Sequence, residues 1–153
     1  MADTSSPVVV VRAGLDDLEA IVPLFDAYRQ FYKERSDPRA AREFLADRLR
    51  KGESTVFVAR RGRETVGFMQ LYPTFSSNAL RPLWILNDLF VVPSARRRGV
   101  AARLLDRAKQ LATETGAESV VLETAVDNPA QRLYEACGWK LDREFLHYEW
   151  RPR

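Results

Sequence analysis

The sequence predicts an α/β (α+β) fold, a mixed central sheet flanked by helices, in the order β-α-α-β-β-β-α-β-α-β-β. Three observations carry that reading. Apolar residues recur at helical spacing in two long stretches, at positions 18–32 and 100–112. Between and after them lie shorter β-branched and apolar runs, bounded by Gly and Pro, that read as strands. No internal repeat, linker or low-complexity segment interrupts the alternation, so one layered domain over residues 8–151 is expected, with residues 1–7 a flexible N-terminus.

The elements follow in order. Residues 8–12 (V-V-V-V-R) are β-branched and form a strand. Asp16 followed by Glu19 has the form of a capping arrangement, after which Leu18, Ile21, Val22, Phe25, Tyr28 and Tyr32 mark an amphipathic helix reaching about residue 33. Asp37-Pro38 supplies an N-cap with a first-turn proline and Gly52 a stop, which places a second helix over 38–50. Residues 55–59 and 65–72 are strands joined at Gly62 as a hairpin. A turn at 78–82 leads into the apolar strand 83–92, ended by Pro93. Val100, Leu104, Leu105, Ala108, Leu111 and Ala112 make one helical stripe closed by Gly116. A strand at 119–125, a short helix from Asn128-Pro129 to Gly138, and strands at 139–141 and 145–150 complete the chain.

Composition removes several functions. The 153 residues, 46% hydrophobic and 29% charged, are those of a globular domain large enough to fold without metal or disulfide. One cysteine, Cys137, permits no internal disulfide and fits a reducing, cytoplasmic setting. With His147 as the one histidine, a zinc site is not expected, and no metal is assigned. The polar start and the short run 8–11 predict neither a signal segment nor a membrane span. Net charge is only +3, with arginines clustered at 60–63 and 96–98. A nucleic-acid-binding module is the weaker alternative, because no aromatic residues interleave with those clusters.

The stretch 86–105, L-N-D-L-F-V-V-P-S-A-R-R-R-G-V-A-A-R-L-L, carries the chemistry. A strand end, a basic loop and a helix start follow one another, and unpaired amides at a helix start bind phosphate oxygens. Gly99 allows close backbone approach, Ala101 keeps the first turn narrow, and Arg96, Arg97 and Arg98 add charge that pairs with a diphosphate. A nucleotide P-loop is excluded, since no G-x-x-x-x-G-K-[S/T] occurs.

Arg96-x-x-Gly99-x-Ala101, directly after a V-x-V-P-type strand end, resembles the Q/R-x-x-G-x-G/A signature of the GNAT acetyltransferase superfamily. A second block, Asn128-Pro129-Ala130-Gln131-Arg132-Leu133-Tyr134-Glu135-Ala136-Cys137-Gly138-Trp139, looks like the superfamily's N-x-x-A-x-x-L-Y-x-x-x-G-F/W. Within it the pattern is most similar to the branch of polyamine and histone acetylating proteins, although Asn87 stands where the polyamine branch tends to have glutamate.

The resemblance implies an acetyl-CoA-dependent N-acetyltransferase that moves the acetyl group directly to a primary amine of a small molecule, polyamine-like or amino-acid-like, or of a peptide. A non-catalytic acyl-CoA sensor is the alternative on the same fold. The resemblance further implies that Gly99, Val100 and Ala101, with Arg96, Arg97 and Arg98, hold the diphosphate of CoA. Leu89, Phe90 and Val91 would pair their backbone with the pantetheine arm, and Tyr134 would protonate the departing thiolate. Asn128 lies six residues before Tyr134, where the family spacing is seven, so it is assigned to the cofactor or to capping the helix. A homodimer is expected from the same resemblance.

The amine acceptor, with a reference pKa near 10.4, must shed a proton to attack. Asp88, a carboxylate in an apolar strand, is the first candidate for that task, and Glu123 on the next strand the second. Neighbours on a strand face opposite ways, so Asn87 and Asp88 share a face only if a bulge intervenes. Tyr28, Tyr32, Lys33 and Glu34 fall where the family builds its acceptor wall, with Tyr72 and Phe75 as further lining.

Overall fold

The computed structural model describes residues 6–153, so most of the expected flexible N-terminus lies outside the described residues. The chain divides into two compact units, one reaching Glu123 and the other from Thr124 to Arg153.

The first unit is built on a five-stranded sheet in the order β1-β2-β3-β4-β5. Strand β1 is Val8–Arg12, β2 Thr55–Arg61, β3 Glu64–Ser76, β4 Arg81–Val91 and β5 Val120–Val121. Neighbours are antiparallel except β4 and β5, which are parallel. Helices α1 (Leu18–Phe31) and α2 (Pro38–Lys51) cover one face, where Ile21, Phe25 and Leu45 pack on Val56, Val58 and Phe68. Helix α3 (Val100–Thr115) covers the other, with the Arg107 guanidinium 4.5 Å from the ring centre of buried Phe57. Burying each such large apolar side chain contributes roughly 1.5–3 kcal/mol, which is why a sheet covered on both sides needs no cross-link.

Local chemistry sets the helix ends. Asp37 accepts a hydrogen bond from the Ala40 amide at 3.0 Å and Pro38 opens α2, while Gly52 ends it with φ +64°. The expected Asp16/Glu19 cap is corrected. Leu15–Asp17 forms a 3-10 turn and α1 starts at Leu18, because the Asp17 carboxylate accepts from the Gly14 amide at 2.9 Å one turn earlier. Between α1 and α2 the chain is tied back by buried Asp26. Its carboxylate accepts from Ser36 Oγ at 2.6 Å, the Asp37 amide at 2.8 Å and Gln30 Nε2 at 3.1 Å.

Gly67 in β3 lets α3 approach the sheet. A Cβ there would stand 3.1 Å from the Phe90 carbonyl oxygen and 3.3 Å from side-chain carbons of both Val100 and Leu104.

Two expectations about strands fail. The strand expected at 119–125 shortens to Val120–Val121, leaving Glu123 outside it. The register of β4 shifts after Leu86, one residue beyond the paired Ile85, and a bulge bends its strand away from a parallel partner whose slanted bonds are the weaker kind.

In the second unit, helix α4 (Gln131–Ala136) forms as expected, but the strands expected at 139–141 and 145–150 do not. The Asp142 carboxylate accepts from the amides of Glu144 at 2.8 Å and Phe145 at 3.3 Å, turning the chain locally. Phe145, Leu146, Tyr148 and Trp150 are all exposed, and an alternating pattern that is not hydrogen-bonded to a second strand makes no ladder.

Candidate active site

The site begins with a register shift. Gln70 of β3 faces Asp88 of β4, and Leu71 faces Leu86, so Asn87 is an extra residue. Trp84 points at α3, where its indole N–H donates to Thr115 Oγ1 at 2.9 Å. In a regular strand Leu86 and Asp88 would share that direction. The inserted residue instead turns Asp88 and Phe90 to the side of α1, where Phe90 packs on the α1–α2 core. The bulge required for Asn87 and Asp88 to serve one site is therefore present, with Asp88 buried and Asn87 exposed.

Asp88 is 2% exposed and closely held. Its Oδ2 accepts from Gln70 Nε2 and its Oδ1 from Asn87 Nδ2 at 3.0 Å. The Tyr28 hydroxyl donates to the Asn87 carbonyl at 2.9 Å and lies close enough to the carboxylate to favour its ionised form. Burial raises the Asp88 pKa above the ordinary carboxylate value, and Gln70, Asn87 and Tyr28 oppose that rise without cancelling it. Tyr72 is pushed up to about 12, first by burial and then by the charge of Asp88, with Arg48 working the other way. Tyr32, at the end of α1, packs on Tyr28 with the rings tilted by 58° and their centres 5.0 Å apart, and remains exposed.

The second feature is the end of β4. Its ladder with β5 consists of Trp84 with Val120 and Ile85 with Val121. Beyond it, among the described residues, no strand lies on that side of Leu89, Phe90 and Val91. A turn at Pro93–Ala95 then leads to Arg97 and Gly99, both left-handed at φ +59° and +78°, and to α3. Among the described residues no side chain caps α3, so the amides of its first turn, at Val100 and Ala101, are not taken by a capping group there. Gly99 is needed for its φ, since a Cβ there would meet nothing within 4 Å.

The three arginines differ. Arg96 is committed locally, its Nε donating to the Val91 carbonyl at 2.9 Å and its guanidinium 5.4 Å from the centre of the Phe90 ring. Arg97 and Arg98 are exposed beside the helix start. Arg60 and Arg61 are structural, Arg60 pairing with Asp17 and Arg61 buried.

In the C-terminal unit Tyr134 sits half-buried on α4, and its carbonyl accepts from the Trp139 amide at 2.9 Å. Asn128 Oδ1 accepts from the Ala130 amide at 2.9 Å, so its side chain shapes the entry to the helix. Glu123 is exposed at the end of the first unit. Among the described residues no group of three or more His, Cys, Asp or Glu is placed to hold a metal, and no helix is long and apolar enough to cross a membrane.

Gln70 and Arg48 escaped sequence reasoning. A polar residue inside the apolar run G-F-M-Q-L, in a strand covered on both faces, was the available signal for Gln70. For Arg48, one arginine among several on α2, there was none.

Known proteins agree with this geometry. Residues 20–139 match the Acetyltransferase (GNAT) family. The chain is 46% identical to the uncharacterised N-acetyltransferase YhfO of Bacillus subtilis, over 90% of this chain and 93% of that protein. It is 33% identical to a probable acetyltransferase of Haemophilus influenzae, over 78% of this chain and 90% of that one. A crystal structure of a probable acetyltransferase superposes with a TM-score of 0.90 at 44% identity, covering 95% of this chain and 98% of the other. An aminoglycoside acetyltransferase from a soil metagenome shares the fold, with a TM-score of 0.81 at 23% identity over 95% of this chain and 97% of its own. The sheet, the helix start and the similarities converge: the chain is an N-acetyltransferase enzyme belonging to the GNAT family.

Proposed function

We propose that the protein transfers the acetyl group of acetyl-CoA directly to a primary amine of a small molecule or peptide, with Asp88 receiving the proton the amine must lose. The observation that carries this is a buried carboxylate, turned by the Asn87 bulge onto the α1 side of a strand whose far end has an open edge.

The residues fit the co-substrate. Amides of Val100 and Ala101 and the free charges of Arg97 and Arg98 suit a diphosphate. The edge at Leu89, Phe90 and Val91 offers backbone groups to an amide-bearing arm, as an added strand would use them. Arg96 would act by shaping this edge, since it already bonds the Val91 carbonyl. When bound, acetyl-CoA supplies an activated thioester. Asp88, with a raised pKa, takes a proton from an ammonium more readily than an ordinary aspartate. Tyr134, a phenol with reference pKa near 10, is the group that delivers a proton to the leaving sulfur. Tyr32 and Asn87, exposed near Tyr28, would touch the acceptor. Glu123, exposed and off the strand, is the weaker candidate for that role.

Residues 8–151 would act as one domain, a reading supported by a family match that runs through the boundary at Glu123. Action in the cytoplasm is supported by the single cysteine, Cys137, which leaves no internal disulfide, and a homodimer by the exposed Phe145, Tyr148 and Trp150.

The test is thiol release from acetyl-CoA with a panel of polyamines, amino acids, aminoglycosides and peptide N-termini. Release requires an amine, Asp88→Asn loses most of it, and Tyr134→Phe lowers turnover far more than CoA affinity. Calorimetry showing no CoA binding by the intact protein would overturn the proposal.

A further inference from the structure

Gln70 is fully buried, yet only half of its amide is used. Nε2 donates to Asp88 Oδ2, while Oε1 is buried with no hydrogen-bond partner among the described residues. A buried acceptor left empty is costly, and native interiors rarely keep one without a role. Gln70 reaches Asp88 directly across the β3–β4 pair, at the rung where the bulge begins. Its terminal torsion is soft and roughly two-fold, so rotation exchanges Nε2 and Oε1 with little movement elsewhere.

We infer that Gln70 is the positioning residue for Asp88, an amide that donates to the ionised carboxylate and rotates to accept from the protonated one. The inference rests on the reading of Asp88 as proton acceptor. When the ammonium of the acceptor gives up its proton, the N–H bond breaks with its electron pair left on nitrogen, and an O–H bond forms on Asp88. The carboxyl is then a donor, and Oε1 supplies the acceptor it needs within the same contact. Loss of that proton to solvent returns the amide to its first orientation. Both protonation states of Asp88 thus keep a hydrogen bond to Gln70.

The other groups around the carboxylate are placed differently, and Gln70 alone among its neighbours is a fully buried amide. Tyr28 of α1 spends its hydroxyl proton on the Asn87 carbonyl beside the carboxylate. Asn87 gives Nδ2 to Oδ1 from an exposed position. Tyr72 of β3 feels the charges of Asp88 and of Arg48 on α2. Burial raises the Asp88 pKa and the Gln70 bond is the first of the three that lower it, in keeping with a residue that favours the ionised form at rest.

The experiment is ¹³C NMR titration of aspartate carboxyl carbons in the full-length protein, with the Asp88 signal assigned by its loss in Asp88→Asn. In Gln70→Met, which keeps the length and loses both polar atoms, the Asp88 midpoint moves to higher pH. In Gln70→Glu, two carboxyls share one proton, and the single step splits into two separated ones. A midpoint unchanged in Gln70→Met, with the fold verified by circular dichroism, overturns the inference, as does a single unsplit step in Gln70→Glu. The two readings fail separately. Asp88→Asn retaining amine-dependent thiol release across the amine panel removes Asp88 as proton acceptor and with it the part of Gln70 in turnover. An inactive Asp88→Asn beside an unmoved midpoint in Gln70→Met removes Gln70 alone.

Discussion

The Tyr28 hydroxyl donates to the carbonyl of Asn87 at 2.9 Å, so a side chain of α1 holds the extra residue of the β4 bulge. Tyr28→Phe removes this bond from a solvent-exposed position, where water replaces it in part. We expect a stability loss of no more than about 0.5–1.5 kcal/mol in urea unfolding, the usual net worth of one hydrogen bond. The amine KM rises while CoA affinity, measured by calorimetry, is unchanged. A fall in CoA affinity comparable to the rise in KM would contradict the assignment of the bulge to the acceptor side.

Asp88 makes stability depend on pH in a definite direction. Its folded pKa is raised by burial, so between the ordinary aspartate value and the raised one the folded state binds more protons than the unfolded. That contribution to stability is fully present below the ordinary value, near 3.9, and is lost as pH rises through the folded value. Asp88→Asn never ionises, and its amide can pair with Gln70 after rotation. The variant therefore melts above wild type at pH 7, with the gap closing in acid. A variant melting below wild type at pH 7 would contradict this.

Tyr72 titrates late. Its phenol is pushed up to about 12, so the folded state keeps that proton when an unfolded tyrosine, near 10, has lost it. The associated stability is present below pH 10 and disappears as pH rises toward 12. Ultraviolet titration of phenolate shows a late step that Tyr72→Phe abolishes. Asp88→Asn moves the step to lower pH, because the charge of Asp88 is one of its causes.

Gly67 is a packing requirement. Gly67→Val drives carbon into the Phe90 carbonyl and the side chains of Val100 and Leu104. Overpacking of this kind costs typically about 1–3 kcal/mol, read from the shift in the urea midpoint. Because Val100 opens α3, CoA affinity falls as well; an unchanged affinity would separate Gly67 from the cofactor end.

Helix ends were legible in the sequence wherever the signal was local. Asp37, Pro38 and Gly52 bracket α2, and Gly116 ends α3. Signals that depend on a partner strand were not. The placement of Asn87 as a bulge follows from the register against Gln70 and Leu71, which no window of β4 contains. The alternation in 145–150 reads as a strand by itself, while in the structure it forms no strand and Asp142 bends the chain ahead of it. Asp88 stood out because charge in an apolar strand is rare. Gln70, its partner across the sheet, looked like any polar interruption.

The clasp at Asp26 has a use for engineering. One carboxylate gathers Ser36, the Asp37 amide and Gln30, so the connection between α1 and α2 is anchored at its far end, and Lys33, Glu34 and Arg35 stand exposed ahead of that anchor. Libraries randomised at those three positions, with Asp26, Ser36 and Asp37 left intact, would vary the exposed face of the α1–α2 connection while the two helices stay bolted to their sheet.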